Sequence, residues 1–293
     1  MSKNKNLIIA LFLFAVVLVS YINVFQNEFV WDDEFFIEEN INIRDLGNIP
    51  KFFTDPSTGY LYRPLRSVFY TLNYQIWGHN VFGYHLNSLI LHFLVTALFF
   101  FITLKITDKT AFSFVASLFF AAHPIHTARI TNMTAAFDVF GILFLLLSFF
   151  FYIMFSKKNK KYCYLLSIAF YLLAIFSSEE AITLILILFL YDFSFNHKIN
   201  LENFRLLLNS YVPYFIITIF YLVVRFSVLH QVGRTGTYFE QSFFGTALTT
   251  AKIFVEYIIL LFLPINLTTE HVVKFETSIL SIGFIISLLI LFL

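Results

Sequence analysis

The chain has 293 residues, 59% of them hydrophobic and 13% charged, with a mean hydropathy of +0.80 and a net charge of +1. Soluble domains carry about 25% charged residues, so this composition belongs to a bilayer, and the near-zero net charge excludes nucleic-acid binding by bulk electrostatics. The single cysteine, Cys163, excludes an intrachain disulfide framework and a multi-cysteine metal site.

From the N-terminus, Lys3 and Lys5 precede an apolar run from Leu7 to Ile22, read as a retained first helix rather than a cleaved signal. Further apolar runs follow, and the full set is 7–25, 86–104, 111–122, 139–155, 162–177, 181–191, 206–226, 249–263 and 277–293. Eight or nine apolar segments predict an all-α, polytopic transmembrane helix bundle. Several are shorter than the roughly 17 residues needed to span, which makes some of them candidates for re-entrant segments. Lys105 and Lys109, then Lys157, Lys158, Lys160 and Lys161, then His197, Lys198 and Arg205 fall on one side if every run spans, and the positive-inside rule makes that side cytoplasmic. Residues 26–85, 123–138, 178–180 and 227–248 then face outward. Lys252 and Glu256, four apart, suit an interfacial helix at 249–263; in that arrangement Glu270 and His271 face outward too. No internal repeat or Gly/Ser linker divides the chain, so 1–293 is read as one membrane domain. Its final apolar run lacks a polar exit, and the expectation is that it is C-terminally incomplete.

The first outer loop is the most distinctive stretch. Glu28, Asp32, Asp33, Glu34, Glu38, Glu39, Asp45 and Asp55 put eight of the 18 acidic residues into 28 positions. Later in this loop Pro64 can open a helix, and Leu65, Val68, Phe69, Leu72 and Ile76 repeat at helical spacing, with Arg66, Asn73 and Gln75 off that stripe. The spacing predicts an amphipathic helix over 64–77 lying on the outer leaflet, either a cover for the bundle or one wall of a lipid groove. Trp31 and Trp77 suit the interface.

Several residues could carry chemistry. A carboxylate such as Asp32 or Asp33 at a loop–membrane boundary can act as general base on an acceptor hydroxyl, against the plainer reading of a solvated acidic turn. Glu179-Glu180 lies between two short apolar runs, where an ionisable side chain usually faces a cavity or a partner. His123 and His126, three apart with Asp138 beyond, are loosely spaced for zinc and are more simply satisfied by backbone carbonyls. Asp138 may also cap a helix. His85 and His92 share a face turned to the bundle interior. Arg225 and Arg234 flank the last large outer loop and could clamp a phosphate or snorkel to headgroups.

These motifs form an ordered series: Asn27…Trp31-Asp32-Asp33…Asn40, Tyr62-Arg63-Pro64-Leu65, Gly83-Tyr84-His85-Leu86-Asn87…His92, His123-Pro124-Ile125-His126-Thr127…Asp138, Ser177-Ser178-Glu179…Ile182-Thr183 and Leu263-Pro264-Ile265-Asn266-Leu267. The series resembles the transmembrane-and-tetratricopeptide-repeat O-mannosyltransferases and their prokaryotic relatives in the GT-C superfamily. The resemblance implies a GT-C-like membrane domain, a polyprenyl-phosphate-linked sugar donor and an outer or lumenal active site. Its setting would be a bacterial or archaeal cytoplasmic membrane or the eukaryotic endoplasmic reticulum. Asp32 or Asp33 falls where the family has its essential loop carboxylate, and Glu179 on the glutamate of its Ser-Lys-Glu motif. Three family charges are missing, at Ala128, Ala136 and Ser178, and tetratricopeptide repeats are absent.

The sequence thus leads to an expectation of a membrane glycosyltransferase. Asp32, Asp33 and Glu179 would be catalytic, and Arg63, Arg66, His85, His123, His126, Asp138, Arg225 and Arg234 would contact substrate. Its partners would be a polyprenyl-phosphate-linked sugar, an acceptor protein or glycan, and membrane lipid. No cofactor follows from the sequence, no residue is assigned as a metal ligand, and a divalent cation is compatible with the carboxylates without being required. The alternatives are a lipid or solute transporter, argued against by the lack of inverted repeats, and a catalytically inactive membrane partner, suggested by the missing charges.

Overall fold

A computed structural model describes residues 3–56, 61–195, 201–230, 242–268, 273–276 and 278; Arg234, Glu270, His271 and nearly all of the run 277–293 lie outside these. Every regular element described is helical. Helix α1 (Lys3–Tyr21) leads through a 3-10 turn into the acidic loop, which contains a π-helical turn (Glu34–Glu38) and two 3-10 segments (Ile41–Arg44, Leu46–Phe53). Then come α2 (Pro64–Trp77), α3 (Val81–Thr107), α4 (Thr110–Ala122), α5 (Thr127–Thr131), α6 (Met133–Lys158), α7 (Lys161–Ser177), α8 (Leu184–Phe195), α9 (Leu201–Leu229) and α10 (Phe243–Phe262).

Eight of the nine apolar runs are thus helices, and five stretches are long and apolar enough to cross a membrane: Lys5–Gln26, α3, α6, Leu208–Leu229 within α9, and α10. A sixth is added if α4 and the Pro124–Thr131 segment together make one broken span. The chain is an integral, multi-pass membrane protein. The gap between these numbers and the eight or nine apolar segments is one of length. Helix α8 has 12 residues and rises only about 18 Å at 1.5 Å per residue, short of a hydrocarbon core of about 30 Å. Helix α10 is 20 residues long, extending well N-terminal of the apolar run that suggested a surface helix.

The chain divides into two compact units, residues 1–123 with 129–232, and residues 124–128 with 233–293. In the first, α6 and α7 are the central pair. The Ser148 hydroxyl donates to the Ser167 carbonyl and the Ser167 hydroxyl to the Ser148 carbonyl, each at 2.7 Å. Small residues let the two backbones approach this closely, which replaces the missing hydrophobic drive between helices in lipid. Gly141 continues the contact: a Cβ there would sit 3.0 Å from that of Ser178. Around the pair, Tyr152, Tyr171, Tyr214 and Tyr221 fill a core that also holds Tyr62 from the loop. Helices α3 and α6 end on Asp108 and Asn159, both in the left-handed conformation at φ 55° and 49°, which short polar side chains tolerate.

In the second unit α10 packs on residues 273–276. Gly245 makes room for the Phe275 ring, and Lys252 Nζ lies 2.9 Å from Glu276 Oε1.

Helix α2 occupies the predicted 64–77, and its faces are arranged for lipid. Arg66, Ser67, Tyr70, Thr71 and Asn73 are buried, whereas Leu72 and Ile76 are exposed. An amphipathic helix in water would turn its apolar stripe inward. Here Leu72 and Ile76 of the apolar stripe face outward, Phe69 packs on Phe137 and Phe140 of α6, and the buried polar side chains cover the bundle.

Candidate active site

Pro64 at the first helical position presets α2, and the residue before a proline is pushed out of the helical region. Arg63 accordingly sits at φ −135°, ψ 65°. The backbone before it is pinned from α9, where the Tyr221 hydroxyl donates to the Tyr62 carbonyl at 3.0 Å. From this fixed base the Arg63 guanidinium reaches two carboxylates remote in sequence. Nε and Nη2 donate to Glu179 at 2.7 and 2.9 Å, and Nη1 donates to Asp138 at 2.9 Å.

Asp138 lies in the second turn of α6 and takes two more arginines, Arg66 at 3.2 Å and Arg129 at 3.1 Å. Three guanidinium groups therefore meet two carboxylates. Arg66 is almost fully buried, with its guanidinium 5.0 Å from the Phe36 ring centre and 5.6 Å from that of Tyr70. Such cation–π placement stabilises a desolvated arginine. Its Nε finds no hydrogen-bond partner among the described residues. Glu179 opens a 3-10 turn after α7, and Ser178 Oγ caps it by accepting from the Glu180 N–H at 3.4 Å.

Burial alone would push the Glu179 carboxyl up, but the hydrogen bonds and charge of Arg63, with the charge of Arg225, hold it below its ordinary value. For Arg63 desolvation works against the charged form, and Glu179, Asp138 and Glu180 outweigh it, so the guanidinium stays charged throughout.

The two loop aspartates part company. Trp31 has φ 57°, uncommon for a residue with a side chain, and the turn it makes leaves Asp32 exposed and Asp33 fully buried. Asp33 Oδ1 accepts from Thr134 N at 2.7 Å and Thr134 Oγ1 at 2.6 Å; Oδ2 accepts from Met133 N at 3.4 Å and Val30 N at 3.2 Å. These are the unpaired N–H groups that begin α6, where a negative charge also suits the helix dipole. Asn132 caps the same turn through Ala135 N at 2.8 Å. Asp33 and Asp138 thus both attach to the first two turns of α6, which brings the acidic loop, α2 and the α7–α8 turn to one end of the bundle.

The histidines are built into the packing. His85 Nε2 lies 3.2 Å from the Asn27 carbonyl and His92 Nε2 3.1 Å from that of Ala121, both rings buried. His123 ends α4, with its carbonyl accepting from Tyr21 Oη at 2.8 Å; His126 belongs to the second unit. No group of three or more His, Cys, Asp or Glu side chains that could hold a metal ion occurs among the described residues. Asp138 and Glu179 converge on arginines instead, so no step is derived through a cation. Arg129 was not singled out from the sequence; its signal was a lone cation three residues before the Asn132 cap.

Beside this cluster lies an apolar groove of about 430 Å³ lined by Phe53, Tyr62, Leu65, Leu172, Phe176 and Val224, among others. Tyr62 and Leu65 flank Arg63 and Pro64, and Val224 precedes Arg225. The groove thus borders the segments that carry Arg63 and Arg225.

Comparison with known proteins gives a consistent picture. The chain is 27% identical over 203 residues to protein O-mannosyl-transferase tmtc2 of Xenopus laevis, covering 64% of this chain and 24% of that protein. It is 33% identical over 148 residues to TMTC2 of Mus musculus, covering 47% and 18%. Against human TMTC1 it is 33% identical over 139 residues, covering 42% and 15%. The chain is similar to the TMTC protein O-mannosyl-transferases. It spans about a quarter or less of the length of these TMTC proteins. No family model and no solved structure matches. Ala136 and Ser178 are both buried, Ser178 against Gly141. The cations of this site are Arg63, Arg66 and Arg129.

Proposed function

We propose that the chain is a membrane glycosyltransferase of GT-C type that moves a sugar from a polyprenyl-phosphate donor to an acceptor hydroxyl, such as a protein Ser or Thr, on the non-cytoplasmic face. What supports this reading is an apolar groove lined by the chain neighbours of Arg63 and Arg225, in a chain similar to proteins named O-mannosyl-transferases. A polyprenyl tail suits the groove. The phosphate at its head suits the arginine cluster, where Arg66 Nε has no hydrogen-bond partner among the described residues and Arg225 follows the groove residue Val224. Arg234 is assigned to the same task and lies outside the described residues.

In the reaction the acceptor oxygen attacks the anomeric carbon in line with the leaving phosphate. The carbon–oxygen bond to phosphate breaks and its electron pair leaves with the polyprenyl phosphate, so the anomeric centre inverts. The hydroxyl proton passes to a loop carboxylate. Asp32, exposed at the turn, is suited to take it. Asp33 holds the turn on α6, and through it Asp32 in place. Glu179 and Asp138 orient the arginines and the acceptor.

Purified protein given a labelled polyprenyl-phosphate sugar tests the proposal. Turnover is expected, with Asp32→Ala cutting it about a hundredfold, the low end for loss of a general base, while folding is unchanged. Asp33→Ala is expected to lower activity together with thermal stability. Wild-type turnover in both variants would remove the loop from the mechanism. Donor binding without turnover would instead identify an inactive relative, and movement of unmodified lipid across a vesicle a transporter.

A further inference from the structure

A second cavity lies in the acidic loop, and none of the arginines of the cluster lines it. It encloses about 180 Å³ and is lined by Asn40, Asn42, Asn48, Lys51, Phe52, Asp55, Pro56 and Ser67. The lining thus combines three asparagines, a lysine, an aspartate and a serine with one phenylalanine. We propose that this pocket binds one uncharged sugar ring of a saccharide ligand.

The walls are set before any ligand arrives. Asn40 donates to the Phe36 carbonyl and accepts from Asn42 N, each at 3.1 Å. Asn48 Nδ2 donates to the Asn42 carbonyl at 3.1 Å, and Lys51 Nζ donates to Asn48 Oδ1 at 3.0 Å. Thr54 Oγ1 donates to Asp55 Oδ1 at 3.1 Å. Each such bond uses one valence and fixes the group. An ammonium has three donors and a carboxylate about four acceptor sites, so Lys51 and Asp55 keep capacity for a ligand. Donors and acceptors alternating at fixed positions match a ring of hydroxyl groups, each of which both donates and accepts. Preorganised polar groups of this kind fix ligand orientation.

Charge selects against anions. Lys51 and Asp55 cancel, and residues 28–55 hold eight acidic side chains against two basic ones, Arg44 and Lys51. A phosphate would be repelled here and drawn to the arginine cluster. Size suits a single ring: the cavity measures about 180 Å³. Ser67 ties the pocket to the reaction site, since it lies on the first turn of α2 beside Arg66. That the bound saccharide is the acceptor rests on the glycosyl-transfer reading; the binding itself does not.

Saturation-transfer NMR on the full chain in nanodiscs, titrated with methyl hexopyranosides, tests this. At least one hexoside is expected to receive saturation at its ring protons. Asn42→Ala and Asp55→Asn, both at exposed positions, are expected to weaken its Kd about fivefold each, the value of one hydrogen bond, with unchanged thermal unfolding. Glu179→Gln is expected to leave it unaltered. The proposal is overturned by no transfer to any hexoside, by variants that bind like wild type, by hexose 1-phosphate binding as well as the hexoside, or by a Ser/Thr peptide binding in preference. Loss of turnover in Glu179→Gln with hexoside binding intact separates the two sites. Hexoside binding without turnover in wild type would overturn the transfer reading alone.

Discussion

Asp138 and Asp192 are both carboxylates well inside the helical bundle, and they are answered in opposite ways. Asp138, near the start of α6, is 16% exposed and meets three arginines. Asp192, on α8, is wholly buried and accepts from the hydroxyls of Tyr152 at 2.5 Å and Tyr211 at 2.6 Å. Charged partners at a partly open position make a cluster that can exchange an internal anion for an external one. Hydroxyl donors in a sealed position make a joint between α6, α8 and α9. The difference separates an open charged cluster at the start of α6 from a sealed joint at Tyr152, further along the same helix.

The largest effect expected from this contrast is on the sealed side. Asp192→Ala would leave two tyrosine hydroxyls buried without their acceptor and is expected to destabilise the protein by about 3 kcal/mol, read as a fall in the thermal unfolding midpoint in detergent. Turnover per folded molecule should stay near wild type; a selective loss of turnover at unchanged stability would break the contrast. On the open side the balance reverses. Asp138→Ala removes the anion shared by Arg63, Arg66 and Arg129, and displacement of positioning groups by about 1 Å costs on the order of a hundredfold in rate. Transfer assays should show that loss with a smaller change in unfolding midpoint than Asp192→Ala gives. The smallest effect is in pH. Because the Glu179 carboxyl is held below its ordinary value, the Arg63–Glu179 pair contributes fully above the unfolded glutamate value of about 4.3 and is lost only as pH falls through the lower folded value. The stability this pair contributes, read as the thermal unfolding midpoint, should be flat from neutrality down to about pH 5, and Glu179→Gln should abolish the acid limb below it. A limb unchanged by that variant would assign it to another group.

Much of the scaffold could be read from residue order. Apolar runs located the helices, and Pro64 with its stripe fixed α2 to the residue. What periodicity could not supply was which way α2 faces, because lipid and water reverse the meaning of an apolar stripe. Nor could it foresee that the stretch 179–183 winds as a 3-10 turn before α8 begins. At the site, Arg63, Asp138 and Glu179 each carried a signal, but their union spans 75 and 116 residues and depends on how α6 and α7 pack. The Trp31-Asp32-Asp33-Glu34 run reads as a uniformly wet acidic turn. The start of α6 draws in one carboxylate to satisfy its N–H groups, and nothing local says which. Asp192 was legible and was passed over, since a lone charge in a short apolar helix is costly unless it has partners.

The hydrogen-only side chain of Gly141 has a consequence for Glu179. It sits where α6 and α7 come nearest, facing Ser177 and Ser178, immediately before the chain turns to present Glu179. The spacing there acts as a shim under the carboxylate. Anything thicker at 141 would lever the end of α7 away from Arg63, so a residue outside the charged cluster sets the reach of one within it.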